Sequence, residues 1–516
     1  MADFEPYLQA EPSGTQLKQT SVKSGLVTFA AQPVKLVMGI GATAILSRLV
    51  TPADFGLLAL VTPLLALVDS LSNLGMETAT VQKQTLNHQQ ASAAFWFSFK
   101  VNVVVIAAMI AMGPVLAWFY DQPALSAVTL AMAVGALSLC LSFQHKSLLR
   151  RQMRFSLLTG IEVGSIAIAT LCAIAAARLG LGYWALVLQI VVMQVLQSAA
   201  YWITCGWRPS LALATKGSKG GVKKGLKKDS ASSDGEMRSL LSYGANLTGF
   251  RFITRIGMQM DRILLGYISG TTALGFYDVS YRWAYFPFMQ VYAPLFDVAV
   301  SSLSRAYADP VTYRKYCRWG MMPLFALCLP ALAFLWVTAT EVLLILLGEQ
   351  WLPAVPIFRL LLIAMFVGSL SRVTKWLYIS SGQTRRQLRW GLIHTPIMIG
   401  SVAVGAHWGA YGIAVGYTSG MCLLTWPSVL FCLKESPLTV RDFLSVVWPA
   451  ATAALVSAGG LLLVQPLLIE SLSNSFVRLC VEGLLFSGTY CTLWFLLPGG
   501  RASTTQIIAH FFGRRL

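Results

Sequence analysis

The chain has 516 residues, 56% of them hydrophobic and only 12% charged, with a net charge of +18 and a mean hydropathy of +0.64. Soluble domains carry about 25% charged residues, so an ordinary soluble enzyme or binding module is excluded. The surplus of Lys and Arg does not indicate nucleic acid, because it gathers at the ends of apolar segments rather than on one surface.

A helix crosses the hydrocarbon core with about 20 apolar residues, and about fourteen such segments recur along the chain. They lie near 24–46, 55–76, 93–117, 124–144, 156–178, 182–204, 239–267, 275–300, 319–343, 355–379, 390–406, 411–433, 443–466 and 477–497. The expected fold is therefore an all-α polytopic membrane protein. The residues before Ser24 are polar and the first apolar stretch continues as a full span, so no signal peptide is expected. Most cysteines fall in the spans (Cys140, Cys172, Cys328, Cys422, Cys432, Cys480 and Cys491), and no CxxC or Cys/His cluster occurs. Neither a disulfide framework nor a metal or other cofactor is expected.

Lys and Arg mark one side of the spans. Lys18, Lys23, Lys83, Lys146, Arg150, Arg151, Arg154, Arg305, Arg314, Lys315, Arg318, Arg385, Arg386, Arg389, Lys434 and Arg441 share it with both termini, whereas Arg48, Arg178 and Arg478 fall opposite. Both termini are expected in the cytoplasm, in a multi-pass arrangement. The stretch Lys216–Asp234, rich in Gly, Ser and Lys, reads as a flexible loop near anionic headgroups. It divides a six-helix bundle (1–206) and a basic linker (207–238) from a second six-helix bundle (239–435), followed by two further helices and a tail (436–516). The first and seventh spans both end in a short turn leading to a bulky residue and glycine, Phe55-Gly56 and Leu274-Gly275. Two parallel repeats of six helices are a transporter architecture, with the substrate between them.

Several charges lie at membrane depth. Lys35 is mid-span in the first helix; the seventh carries Arg251, Arg255, Asp261 and Arg262. Arg251, Arg255 and Arg262 fall within a sector of about 40° on one face. Aligning Gly56 with Gly275 sets Lys35 beside Arg255. A central Arg or Lys costs about 2.5–3.5 kcal/mol to insert, so such residues face a cavity or a partner. Arg251, Arg255, Arg262 and Lys35 are the candidate ligands of an anionic headgroup in a hydrated cleft; Asp261 and Asp278 are candidates for ion coupling. Internal pairing with Asp69, Glu162, Asp261, Asp278 or Asp297 is the competing reading, and Arg372 and Lys375 have the length to snorkel. In the eighth span Tyr277, Tyr281, Tyr285, Phe288 and Tyr292 share a face. Tyr277, Tyr281 and Tyr285 are candidate glycan contacts, against a plainer role in helix packing. Gly412, Gly416 and Gly420 form a repeated GxxxG, a close-packing face.

Leu46-Ser-Arg-Leu-Val-Thr-Pro-Ala-Asp-Phe-Gly56 resembles the first outer turn of bacterial polysaccharide exporters, the Wzx-type lipid-linked oligosaccharide flippases whose superfamily also contains multidrug antiporters. Gln152-Met-Arg-Phe155, Gly182-Tyr-Trp-Ala-Leu-Val187, Trp207-Arg-Pro209, Asp261-Arg-Ile-Leu-Leu-Gly266, Leu274-Gly-Phe-Tyr277 and Leu347-Gly-Glu-Gln-Trp351 extend the resemblance to about Gly382. It implies a V-shaped pair of bundles that moves an undecaprenyl-diphosphate-linked repeat unit outward by alternating access. Membrane lipids, a polysaccharide polymerase and export machinery are the implied partners. Two alternatives stand beside it: a cation-coupled small-molecule antiporter of the same fold, and a membrane polysaccharide polymerase. The first favours a cleft with acids, the second a sizeable outer loop.

Overall fold

The computed structural model describes residues 15–72 (15–30 and 69–72 as backbone), 80, 86–210, 257 and 259–497 (297 and 384 as backbone). Among them every regular element is helical. The chain forms two compact units, Met1–Gln259 and Met260–Leu516.

Unit one holds α1 (Thr15–Leu49), α2 (Pro52–Ser72), α3 (His88–Phe119), α4 (Ala124–Arg151), α5 (Phe155–Arg178) and α6 (Tyr183–Thr204). α1 packs on α5, α3 on α4, and α6 on both α4 and α5. Local chemistry sets the starts. Asn87 and Gln90 form a reciprocal capping box on α3. At α2, Thr51 and Asp54 hydrogen-bond reciprocally, and the other oxygen of Asp54 accepts from the Tyr183 amide at 3.0 Å. One aspartate therefore caps two helices, and it joins the Leu46–Gly56 and Gly182–Val187 motifs across 129 positions. Trp207 is fully buried in an aromatic cluster with Phe95 and His145.

Unit two begins with α7 (Met260–Ala306), which breaks at Gly270, φ 77° and ψ −173°. That backbone region is open essentially to glycine alone. Then come α8 (Pro310–Val337), α9 (Ala339–Leu347), a 3-10 turn (Glu349–Ala354), α10 (Val355–Arg372), α11 (Thr374–Ser380), α12 (Thr384–Gly405), α13 (Gly409–Leu433), α14 (Val440–Ser471) and α15 (Ser475–Leu496). Asp309 caps α8 just before Pro310; bonds from the Thr312 hydroxyl and the Val311 amide hold its carboxyl below the usual range. α14 packs on α8, with Phe325 and Phe443 edge to face at 6.1 Å, so it belongs to the core of this unit.

Nine helical stretches among the described residues are long and apolar enough to cross a membrane, and one of them, 385–433, folds back at Gly409 into α12 and α13. The protein is a multi-pass membrane protein. The expected total of about fourteen is not reached by that criterion; α7, for example, carries Asp261, Arg262, Asp278 and Arg282. The expected boundary between the seventh and eighth spans, 267 to 275, also shifts, since helix resumes directly after Gly270. Gly56 still lies as far beyond Pro52 as Gly275 lies beyond Thr271, so the shared turn chemistry keeps its register. The GxxxG face packs closely: a Cβ on Gly412 would collide with the Gly405 carbonyl, and one on Gly416 with that of Ser401.

Candidate functional site

After the Gly270 break, α7 places an aromatic every three or four residues, which is one helical face. The rings form a continuous ladder. Centroids are 6.3 Å apart for Tyr277–Tyr281, 5.8 Å for Tyr281–Tyr285, 6.3 Å for Tyr285–Phe288, 5.1 Å for Phe288–Tyr292 and 5.8 Å for Tyr292–Phe296. Tyr417 of α13 meets Tyr281 edge-on at 5.9 Å, and Trp376 of α11 stacks on Tyr292 at 5.6 Å. From Tyr281 to Phe296 the ladder rises about 22 Å at 1.5 Å per residue, much of a bilayer core about 30 Å thick.

Three cations lie along it in order. Arg262 sits 4.9 Å from the Tyr281 ring. Arg372 sits 4.9 Å from Tyr285 and 5.2 Å from Phe288, and Lys375 lies 5.3 Å from Phe296. Their electrostatics differ. Arg262 donates from Nε to Asp278 at 2.7 Å and approaches Asp261 at 3.9 Å, while Arg282 binds the second Asp278 oxygen at 2.9 Å. Tyr277 donates its hydroxyl to Asp261 at 2.8 Å. Two arginines and two aspartates thus balance.

Arg372 has no carboxylate partner among the described residues. It donates to the Tyr285 hydroxyl at 3.4 Å, and its backbone carbonyl accepts from Tyr292. Cation–π contact returns about 0.5–2 kcal/mol per ring, comparable with the insertion cost of about 2.5–3.5 kcal/mol. The ring faces can hold this guanidinium in an apolar bundle without neutralising it. Among the described residues no carboxylate neutralises its charge.

These contacts place the candidate residues, several of them in the internal pairing that the sequence left open. Arg262 is ion-paired rather than exposed to a cleft, because the fold-back at Gly270 brings Asp278 to it. Asp261 and Asp278 are occupied as its counter-ions. Lys35 is ion-paired to Glu162 of α5, which also has Lys146 at 3.8 Å. Two lysines share one acid there, leaving one unit of positive charge. Tyr277 is fully buried and its hydroxyl is engaged, so it packs rather than presenting itself to a glycan; Tyr281 and Tyr285 remain partly exposed. Arg251 and Arg255 lie outside the described residues. Sequence reasoning passed over Arg372 by letting it snorkel. The available signal was its i, i+3 spacing from Lys375 in an otherwise apolar span.

Residues 45–356, more than half of the chain, match the model of a family described as polysaccharide biosynthesis protein. The chain belongs to that family. The lipopolysaccharide biosynthesis protein WzxC of Escherichia coli K12 is 19% identical over 408 residues, 78% of each chain. The succinoglycan biosynthesis transport protein ExoT of Rhizobium meliloti is 21% identical over 411 residues, again 78% of each. Among solved structures, the lipid II flippase MurJ in an inward closed conformation superposes with a TM-score of 0.64 at 11% identity, covering 92% of this chain and 98% of that one. That likeness concerns the fold. The matched segment runs from the Leu46–Gly56 turn through the Trp351 motif. There Trp351 is buried, edge-on to Phe276 at 5.9 Å.

Proposed function

We propose that this chain is a flippase that carries a lipid-linked oligosaccharide, borne on an undecaprenyl diphosphate, from the inner to the outer leaflet by alternating access. The proposed setting is the bacterial inner membrane with both termini in the cytoplasm, and the product feeds surface-polysaccharide assembly beside a polymerase and export machinery. The observation that carries the reading is Arg372, a guanidinium without a carboxylate partner among the described residues, on an aromatic ladder inside a membrane bundle. A diphosphate crossing an apolar layer loses its water, and a preplaced cation offsets that loss. An arginine suits it because its planar fork can bind phosphate oxygens in pairs. Tyr281 and Tyr285 offer flat faces with hydroxyl tips to sugar rings. The family membership, the transport named for ExoT and the lipid cargo named for MurJ agree with this reading.

The test is genetic and chemical together. Deleting the gene should abolish surface polysaccharide and leave completed lipid-linked repeat units on the inner leaflet. Units of incomplete glycan structure would point instead to an enzyme of assembly.

A further inference from the structure

Unit two buries a second group of charges far from the ladder in sequence. Glu482, on α15 within a membrane-spanning stretch, is fully buried, and neither carboxylate oxygen has a hydrogen-bond partner among the described residues. Beside it Arg478 of the same helix donates from Nη2 to Oε1 of Glu341 on α9 at 3.2 Å; Glu341 Oε2 and Arg478 Nε are unpartnered. From α14, Gln465 lies next to Glu482 without an aligned bond. From α8, Phe334 is 5.4 Å from Phe486 and in van der Waals reach of position 483. Two carboxyls therefore share one guanidinium. With both ionised, the group carries a net buried negative charge, and Glu482 has only the distant field of Arg478 and the unaligned amide of Gln465 to offset it. With one proton bound the group is neutral, which is the state an apolar interior favours.

We propose that Glu482 and Glu341 form a proton-binding site that carries a single proton, held on Glu482 in this conformation. The proton moves between the two acids by a balanced exchange. Arg478 turns from Glu341 to Glu482; Glu482 gives up its proton and becomes the paired carboxylate, while Glu341 takes the proton and becomes the neutral acid. Because α9 and α15 meet here, any rearrangement that separates them changes which acid the guanidinium can reach. The inference is independent of the cargo proposed above, since its readout is the proton itself.

The test uses full-length protein in liposomes and difference infrared spectroscopy of the carboxylic-acid carbonyl band, stepped in pH without cargo. The wild type should show a protonated carboxyl at neutral pH that Glu482→Gln removes. Glu341→Gln should also remove it at neutral pH, because Arg478 is then free to pair with Glu482; this second variant decides the matter if the first does not fold. Persistence of the band in a folded Glu482→Gln variant, or no response in Glu341→Gln, overturns the proposal. Loss of the wild-type band on adding sodium at constant pH overturns it too, making the site a metal-cation site.

Discussion

Arg262 and Arg372 make the same contact, a guanidinium 4.9 Å from a tyrosine ring centroid, but only Arg262 has a carboxylate, and that decides what each substitution does. Arg372→Gln removes a charge that meets only ring faces and a tyrosine hydroxyl among the described residues. It should lower flipping about 10- to 100-fold, the worth of one charge-assisted hydrogen bond of about 1.5–3 kcal/mol, with unchanged protein in the membrane. Arg372→Lys should recover part of the loss, since ammonium binds phosphate as a point charge without the fork. Flipping in membrane vesicles, normalised to protein amount, checks both; a fully active Arg372→Gln would remove the proposed role. Arg262→Gln behaves differently. It strips a partner from Asp278, which is 3% exposed, so a destabilisation of several kcal/mol is expected, read as a lower thermal midpoint and less folded protein. At this scale the sequence was half legible. The tyrosine face follows from helical periodicity alone. The partners do not, because Asp278 reaches Arg262 only through a break of the helix at Gly270, and Glu162 reaches Lys35 across 127 positions.

At the scale of elements, the turns that carry the family resemblance have a plain physical content. Asp54 holds the start of α2 through Thr51 and the start of α6 through the Tyr183 amide. Asp54→Ala exposes both helix starts and should cost about 1–2 kcal/mol per cap, while Asp54→Asn retains an acceptor and should cost less; thermal unfolding of the two purified variants gives the order. The α12–α13 hairpin rests on backbone contact through Gly405, Gly412 and Gly416. Gly416→Leu has no flexible neighbour to displace and should cost about 3 kcal/mol or more by overpacking, seen as loss of folded protein, whereas Gly460→Ala, with open space around it, should be silent. The glycine face and the shared Phe-Gly and Leu-Gly starts could be read in advance, since both depend on short spacings. The place where α7 breaks could not. A positive φ at Gly270 is set by how two helices pack, and Gly266 and Gly275 were equally eligible from composition.

At the scale of the molecule, charge sidedness and class are linked, because a flippase must present its cationic path to cargo made on the cytoplasmic side. The basic ends at Arg314, Lys315, Arg385, Arg386 and Lys434 are expected in the cytoplasm and the Ala53 turn outside. In a cysteine-free background, single cysteines at Ala53 and Ser436 should react with an impermeant reagent from opposite faces. Reaction of both from one face would overturn the topology. The class is tested by what leaves the protein unchanged. Reconstituted in liposomes with lipid-linked repeat units in one leaflet, the purified protein should make them accessible in the other with their mass intact, because the ladder supplies cations and ring faces but moves no bond. The rate should fall with Arg372→Gln in the same preparation. Longer glycans appearing with purified protein alone would make it a polymerase. Normal surface polysaccharide in the deletion strain, with loss of drug resistance, would make the cation-coupled antiporter the better reading, and Arg372 would then need an anionic drug or a structural role to explain its charge.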